Sequence, residues 1–82
     1  FTGRRTRELI AAFEAGDLAG ALAIHRSMQA VYNGVFATQG CMQVKGALAA
    51  RGWRTETLRR PLKAASAEET AAFLALLDAA GF

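Results

Sequence analysis

AGDLAGALAIHRSMQAVYNGVFA, residues 15–37, is the stretch whose reading decides the fold. Gly16 can take the left-handed conformation that closes a helix arriving from the N-terminal side. Asp17 follows as an N-cap, its carboxylate satisfying free backbone donors and facing the positive end of the next helix dipole. A link as short as Ala15, Gly16 and Asp17 predicts an antiparallel helical hairpin. From Leu18 onward, at roughly 100° per residue, Leu18, Leu22, Ile24, Met28, Val31, Tyr32, Val35 and Phe36 cover about half the circumference. The other half is small rather than polar: Ala19, Gly20, Ala23, Ser27, Ala30, Gly34 and Ala37, interrupted by Arg26 and Asn33. A helix of this kind is expected to pack on two sides.

Outward from that hairpin, residues 4–15 read as the first helix, with Leu9, Ile10 and Phe13 as its apolar stripe and Arg4, Arg5 and Arg7 as a solvated first turn. Thr38, Gln39 and Gly40 break the second helix near residue 37. Residues 41–50 form a third, carrying Met42, Val44 and Leu48 and ended by Gly52. Residues 53–65 keep no helical period, and Pro61 biases Arg60 to an extended conformation, which predicts an extended connection. Ser66 followed three residues later by Glu69 is a capping box, each side chain satisfying a backbone donor of the other residue. The fourth helix then runs over residues 67–80, buries Phe73, Leu74, Leu76 and Leu77, and is closed by Gly81. The fold class is all-α: one small four-helix unit over residues 1–82 with an extended Arg/Pro strap between helices three and four.

Composition bounds the function. A (β/α)8 barrel needs about 250 residues, so 82 residues exclude it. Hydrophobic residues make up 52 % and mean hydropathy is +0.15, rich for so small a unit, and the excess apolar surface must be covered by something. The apolar runs are too short for a membrane span. Residues 1–3 carry no signal-peptide pattern and read as a chain that begins mid-protein, and with the lone Cys41 they make the cytoplasm the expected compartment. Cys41 has no disulfide partner, and His25 lacks companions at zinc spacing, so neither metal nor cofactor is expected. Net charge is +3, and Arg51, Arg54, Arg59, Arg60 and Lys63 against Glu56 gather cations in the strap.

Few residues could carry chemistry. Lys45, set among Val44, Gly46, Ala47 and Leu48, could lose its charge by desolvation and form an imine, but such a site needs a proton relay. The single tyrosine, Tyr32, is not brought near it by any local spacing, so Lys45 is read as structural or interfacial. His25 falls in the apolar arc of the second helix and is expected to be partly buried with its nitrogens satisfied by backbone. Cys41 at a helix start is read as inert packing. Trp53 amid arginines has the composition of a nucleic-acid contact, since arginine pairs with phosphate and indole stacks on bases. Arginines in a strap bridge equally well to carboxylates on a neighbouring domain. Nucleic acid is therefore not the favoured partner, and Lys45, Arg59, Pro61, His25 and Trp53 stand as structural or interface candidates with no catalytic residue among them.

The ordered set Gly16, Asp17, Leu18; Ile24, His25, Arg26; Val44 to Leu48; Gly52; and Leu58, Arg59, Arg60, Pro61, Leu62 before a Ser-started helix resembles the C-terminal region of the dihydrodipicolinate synthase and N-acetylneuraminate lyase family. The resemblance spans nearly the whole chain. The Phe36 to Gly40 stretch departs from the proline-containing link of many members, and Arg60 stands where an apolar residue is usual. Members are class I aldolases and lyases on a TIM barrel followed by a helical domain, with an imine lysine, a tyrosine relay, a threonine pair and an arginine. All those positions lie upstream of the region resembled, so none is carried over. The resemblance implies a non-catalytic helical part, inactive alone, that covers its own catalytic barrel and helps hold a homo-oligomer, typically a homotetramer. The rival class is a free-standing basic helical interaction or nucleic-acid-binding module.

Overall fold

Three glycines punctuate the chain. Gly16, Gly52 and Gly81 have φ of 81°, 97° and 86°, the left-handed region open to glycine without steric cost. At each, the glycine N–H bonds back to one carbonyl and the next residue's N–H reaches one further: Gly16 to Phe13 and Asp17 to Ala12, Gly52 to Ala49 and Trp53 to Leu48, Gly81 to Asp78 and Phe82 to Leu77, all at 2.9–3.0 Å. These paired bonds are Schellman closures, and they satisfy carbonyls that a helix end leaves free.

The computed structural model describes residues 1–55 and 57–82, and its helices are α1 (Gly3–Glu14), α2 (Leu18–Val35), α3 (Gly40–Ala50) and α4 (Ala67–Ala79), with no strand among the described residues. The Asp17 carboxylate caps α2 by accepting from Gly20 N at 2.9 Å. At α4 both halves of the capping box are formed, Glu69 N to Ser66 Oγ at 3.1 Å and Ser66 N to Glu69 Oε1 at 3.0 Å. Residues 51–55 and 57–66 form turns and irregular chain, including a hydrogen-bonded turn from Leu62 N to Arg59 O at 3.1 Å around the cis Arg60–Pro61 bond. Glu56, the one acid counted in the strap's charge balance, lies outside the described residues.

The core lies where α2, α3 and α4 meet: Val31, Ala47, Phe73 and Leu77 are buried together, with Val35, Leu74, Ala80 and Phe82 against them. Gly34, on the small face of α2, is buried, and a methyl there would collide with Leu76 Cδ1 and meet Phe73, so the missing side chain is what lets α4 approach. Met28 and Met42 are buried outside this cluster.

Two expectations about packing need correction. The stripe of α1 is only partly covered: Leu9 is half-buried, but no residue of α1 is fully buried, and Ile10 and Phe13 are 51 % and 62 % exposed. Leu18, Leu22 and Phe36 of α2 are also exposed, as are Ala19, Ala23, Ser27, Ala30 and Ala37 of its small half, so α2 is covered only along the strip that holds Ala21, Met28, Val31 and Gly34 and is not packed on two sides. Accessible surface totals 5787 Å², about 1,000 Å² above the roughly 4,700 Å² of a compact 8.7 kDa monomer. The radius of gyration is 14.4 Å, against about 11.7 Å for a compact domain of this length. Sequence periodicity marks which residues seek cover; four short helices do not have the surface to supply it. The third correction concerns Arg5, expected in solvent: its guanidinium donates to Ala80 O at the end of α4 and lies 4.2 Å from the Phe82 ring centroid.

Candidate functional site

The candidate residues with an observed role cluster where α3 meets the strap. Lys45 sits mid-way along α3, and its Nζ donates to Thr57 O at 2.8 Å. In return Thr55 Oγ1 donates to the Lys45 carbonyl at 2.9 Å. These two bonds tie the strap to the helix it has just left. At the C-terminal end of α3, Arg51 donates to Phe82 O at 2.7 Å and lies 3.5 Å from the Asp78 carboxylate.

Beyond these ties the strap is open. Arg54, Arg59, Arg60, Pro61 and Lys63 are all exposed, and Trp53 presents 66 % of its surface to solvent. Farther along, the bonds Glu69 accepts from Ser66, with the positive charge of Lys63 as a weaker contribution, hold its carboxyl below the ordinary carboxylate value. His25 is exposed, contrary to the partial burial expected of it, and its nearest aromatic neighbour is Tyr32, ring centroids 5.9 Å apart. The reason is local: His25 lies one and two turns after the exposed Leu22 and Leu18, on the part of the apolar arc that stays open, while Met28 and Val31 of the same arc are buried. Cys41 is exposed rather than packed.

The arrangement is not that of an imine-forming centre. Lys45 is engaged with a main-chain oxygen, and the Tyr32 hydroxyl is turned to Met28 Sδ at 3.5 Å on its own helix. The larger cavity, about 470 Å³, is lined by Phe1, Arg4, Arg5, Glu8, Gly81 and Phe82. The smaller, about 220 Å³, opens beneath Phe1 onto Val31, Val35, Val44, Phe73 and Leu77. Neither is lined by Lys45, Tyr32 or His25. No group of three His, Cys, Asp or Glu converges on a point among the described residues, and no helix described is long and apolar enough to cross a membrane.

Two features escaped the sequence reading. Gln43 is 2 % exposed, with Oε1 lacking a hydrogen-bond partner among the described residues. Its only signal is position: it precedes buried Ala47 by one helical turn and therefore shares its face. Arg5 and Arg51 both reach the last turn of α4, and nothing in local spacing joins residues so far apart.

Known proteins place this geometry in context. The family model of the dihydrodipicolinate synthetase family matches residues 1–80, and the chain belongs to that family. It is 42 % identical over 80 residues to the 4-hydroxy-tetrahydrodipicolinate synthase of Acidothermus cellulolyticus, covering 98 % of this chain and 26 % of that protein. It is 44 % identical over 64 residues to 4-hydroxy-tetrahydrodipicolinate synthase 2 of Streptomyces coelicolor, covering 78 % and 21 %. The synthase of Symbiobacterium thermophilum is 42 % identical over 79 residues, covering 96 % and 27 %. The chain thus spans about a quarter of the length of the curated relatives it matches.

Proposed function

We propose that this chain serves as the non-catalytic helical part of a pyruvate-dependent class I aldolase or lyase, acting in the condensation of pyruvate with aspartate semialdehyde on the way to lysine. The observation that carries the reading is the match over nearly the whole chain to about a quarter of several 4-hydroxy-tetrahydrodipicolinate synthases. The bare apolar residues of α1 and α2 support it, because about 1,000 Å² of surplus surface is what one partner of a standard interface covers. The catalytic barrel is the natural occupant of that surface, and the oligomer and the cytoplasmic setting follow from the same reading. Lys45, Arg59, Pro61, Trp53 and His25 then hold structural or interfacial positions, Lys45 by pinning the strap to α3.

A chimaera tests this. Residues 1–80 of this chain replace the matched region of the Acidothermus cellulolyticus synthase, and product formation is measured together with borohydride trapping of pyruvate. The chimaera is expected to be soluble, active and trapped on a lysine outside the grafted region, while the present chain alone gives no adduct. A stoichiometric adduct on Lys45 of the isolated chain, or a folded chimaera without activity, overturns the proposal. The basic-module alternative would instead show as tight, sequence-dependent binding to nucleic acid near physiological salt.

A further inference from the structure

Two arginines far apart in the sequence, Arg5 and Arg51, meet at the close of α4. The Schellman bonds there use the carbonyls of Leu77 and Asp78, so Ala80 O remains as an acceptor at the negative end of the helix dipole, and Phe82 O follows just beyond the helix. Arg5, from the first turns of α1, donates to Ala80 O and lies over the Phe82 ring. Arg51, from the C-cap of α3, donates to Phe82 O at 2.7 Å and has its guanidinium 5.1 Å from the Phe1 ring centroid. Phe1 in turn sets its edge against Phe73, centroids 6.3 Å apart at 90°. The Arg51–Asp78 ion pair is largely exposed and screened, so it adds little. The charged hydrogen bonds to main-chain oxygen are the stronger element.

This matters because α1 has no buried residue and rests on α2 alone. Arg5 links its first turn to the end of α4, and Phe1 just before it reaches Phe73. We infer that Arg5 and Arg51 form a single latch on the last turn of α4, and that releasing it lets the start of α1 open locally while the α2–α3–α4 core stays closed. The latch couples two distant points: whatever engages the last carbonyls of α4 loosens the start of α1. This inference stands whether or not the chain works as part of a synthase.

Hydrogen exchange read by mass spectrometry on the whole chain, at one low concentration, tests it with Arg5→Ala, Arg51→Ala and the double variant. Arg5→Ala is expected to speed exchange at residues 6–10 by at least about tenfold, the factor that losing a charge-assisted hydrogen bond implies, with residues 70–77 unchanged. The double variant is expected to exceed Arg5→Ala by much less than the product of the single effects, because an open latch cannot open again. If Arg5→Ala fails to fold, Arg5→Lys keeps the charge without the planar fork and is expected to give the same local pattern at smaller amplitude. Unchanged exchange in α1, equal acceleration of all four helices, or strictly multiplicative effects would each overturn the latch.

Discussion

Replacing Phe13 by Ser and Leu18 by Lys should turn a self-associating chain into a monomer. Both side chains are 62 % exposed and flank the α1–α2 turn, where Ile10 and Leu22 add to the bare apolar surface. Burying a whole Phe or Leu stabilises by about 1.5 to 3 kcal/mol, so covering the exposed fraction is worth about 1 kcal/mol or more each. In a symmetric pair each position counts twice, and the double substitution removes about 4 kcal/mol, roughly a thousandfold in Kd. Size exclusion coupled to light scattering from low micromolar to millimolar reads this directly. The unsubstituted chain should exceed 8.7 kDa as concentration rises, by dimerisation, by exchange of helices through the break at residues 38–40, or by larger assembly. The substituted chain should stay at that mass with its helix content intact. A constant 8.7 kDa for the unsubstituted chain, with cooperative unfolding, would show that four helices suffice and that the surplus surface attracts nothing.

Leu77→Ala, at a fully buried core position, should cost about 2 to 5 kcal/mol. For a chain of this length that is a large share of a net stability of about 4 to 12 kcal/mol, visible in the urea midpoint. Gln43→Met keeps the shape while removing an acceptor with no partner among the described residues, and should raise the unfolding free energy by about 1 kcal/mol and the midpoint with it; a fall would mean that Oε1 is satisfied. The carboxyl of Glu69 titrates below its unfolded value, so its contribution is fully present above the ordinary carboxylate range and fades as pH falls through the folded value. Glu69→Gln preserves a capping-box partner without the charge and should flatten that acid limb of the stability curve. Equal acid sensitivity in both chains would remove Glu69 from the account.

The helix ends were legible because their causes are local. Gly16, Gly52 and Gly81 supply a conformation other residues take at a cost, and Asp17 and Ser66 supply a side-chain acceptor within three residues of the donor. Each signal needs only its neighbours, and each stands where it was read. The α2 boundary was placed two residues late, at 37 rather than Val35, because Phe36 and Ala37 continue the apolar pattern after the hydrogen-bond ladder has changed to a tighter turn from Ala37 N to Gly34 O. Ties across the chain had no such signature. Arg5 to Ala80 and Arg51 to Phe82 depend on how α1 and α3 are set against α4, which no window of sequence contains.

Helix α2 shows most clearly what a pattern of apolar residues does and does not say. Its large residues and its small residues both ask for cover and predict two packed sides, yet the chain covers only one strip, leaving Ala19, Ala23, Ser27, Ala30 and Ala37 exposed together with Leu18, Leu22 and Phe36. Close approach marks the covered strip. Gly34 lets α4 lie near enough for Phe73 and Leu76 to reach the α2 backbone, whereas Leu18 and Leu22 hold any neighbour at the distance of a full side chain. The short α4 therefore lies along the strip of α2 that holds Val31, Gly34 and Val35, and the rest of both halves stays bare. His25 and Phe36 share that exposure, so side chains that look like core in the sequence stay open to solvent in this fold.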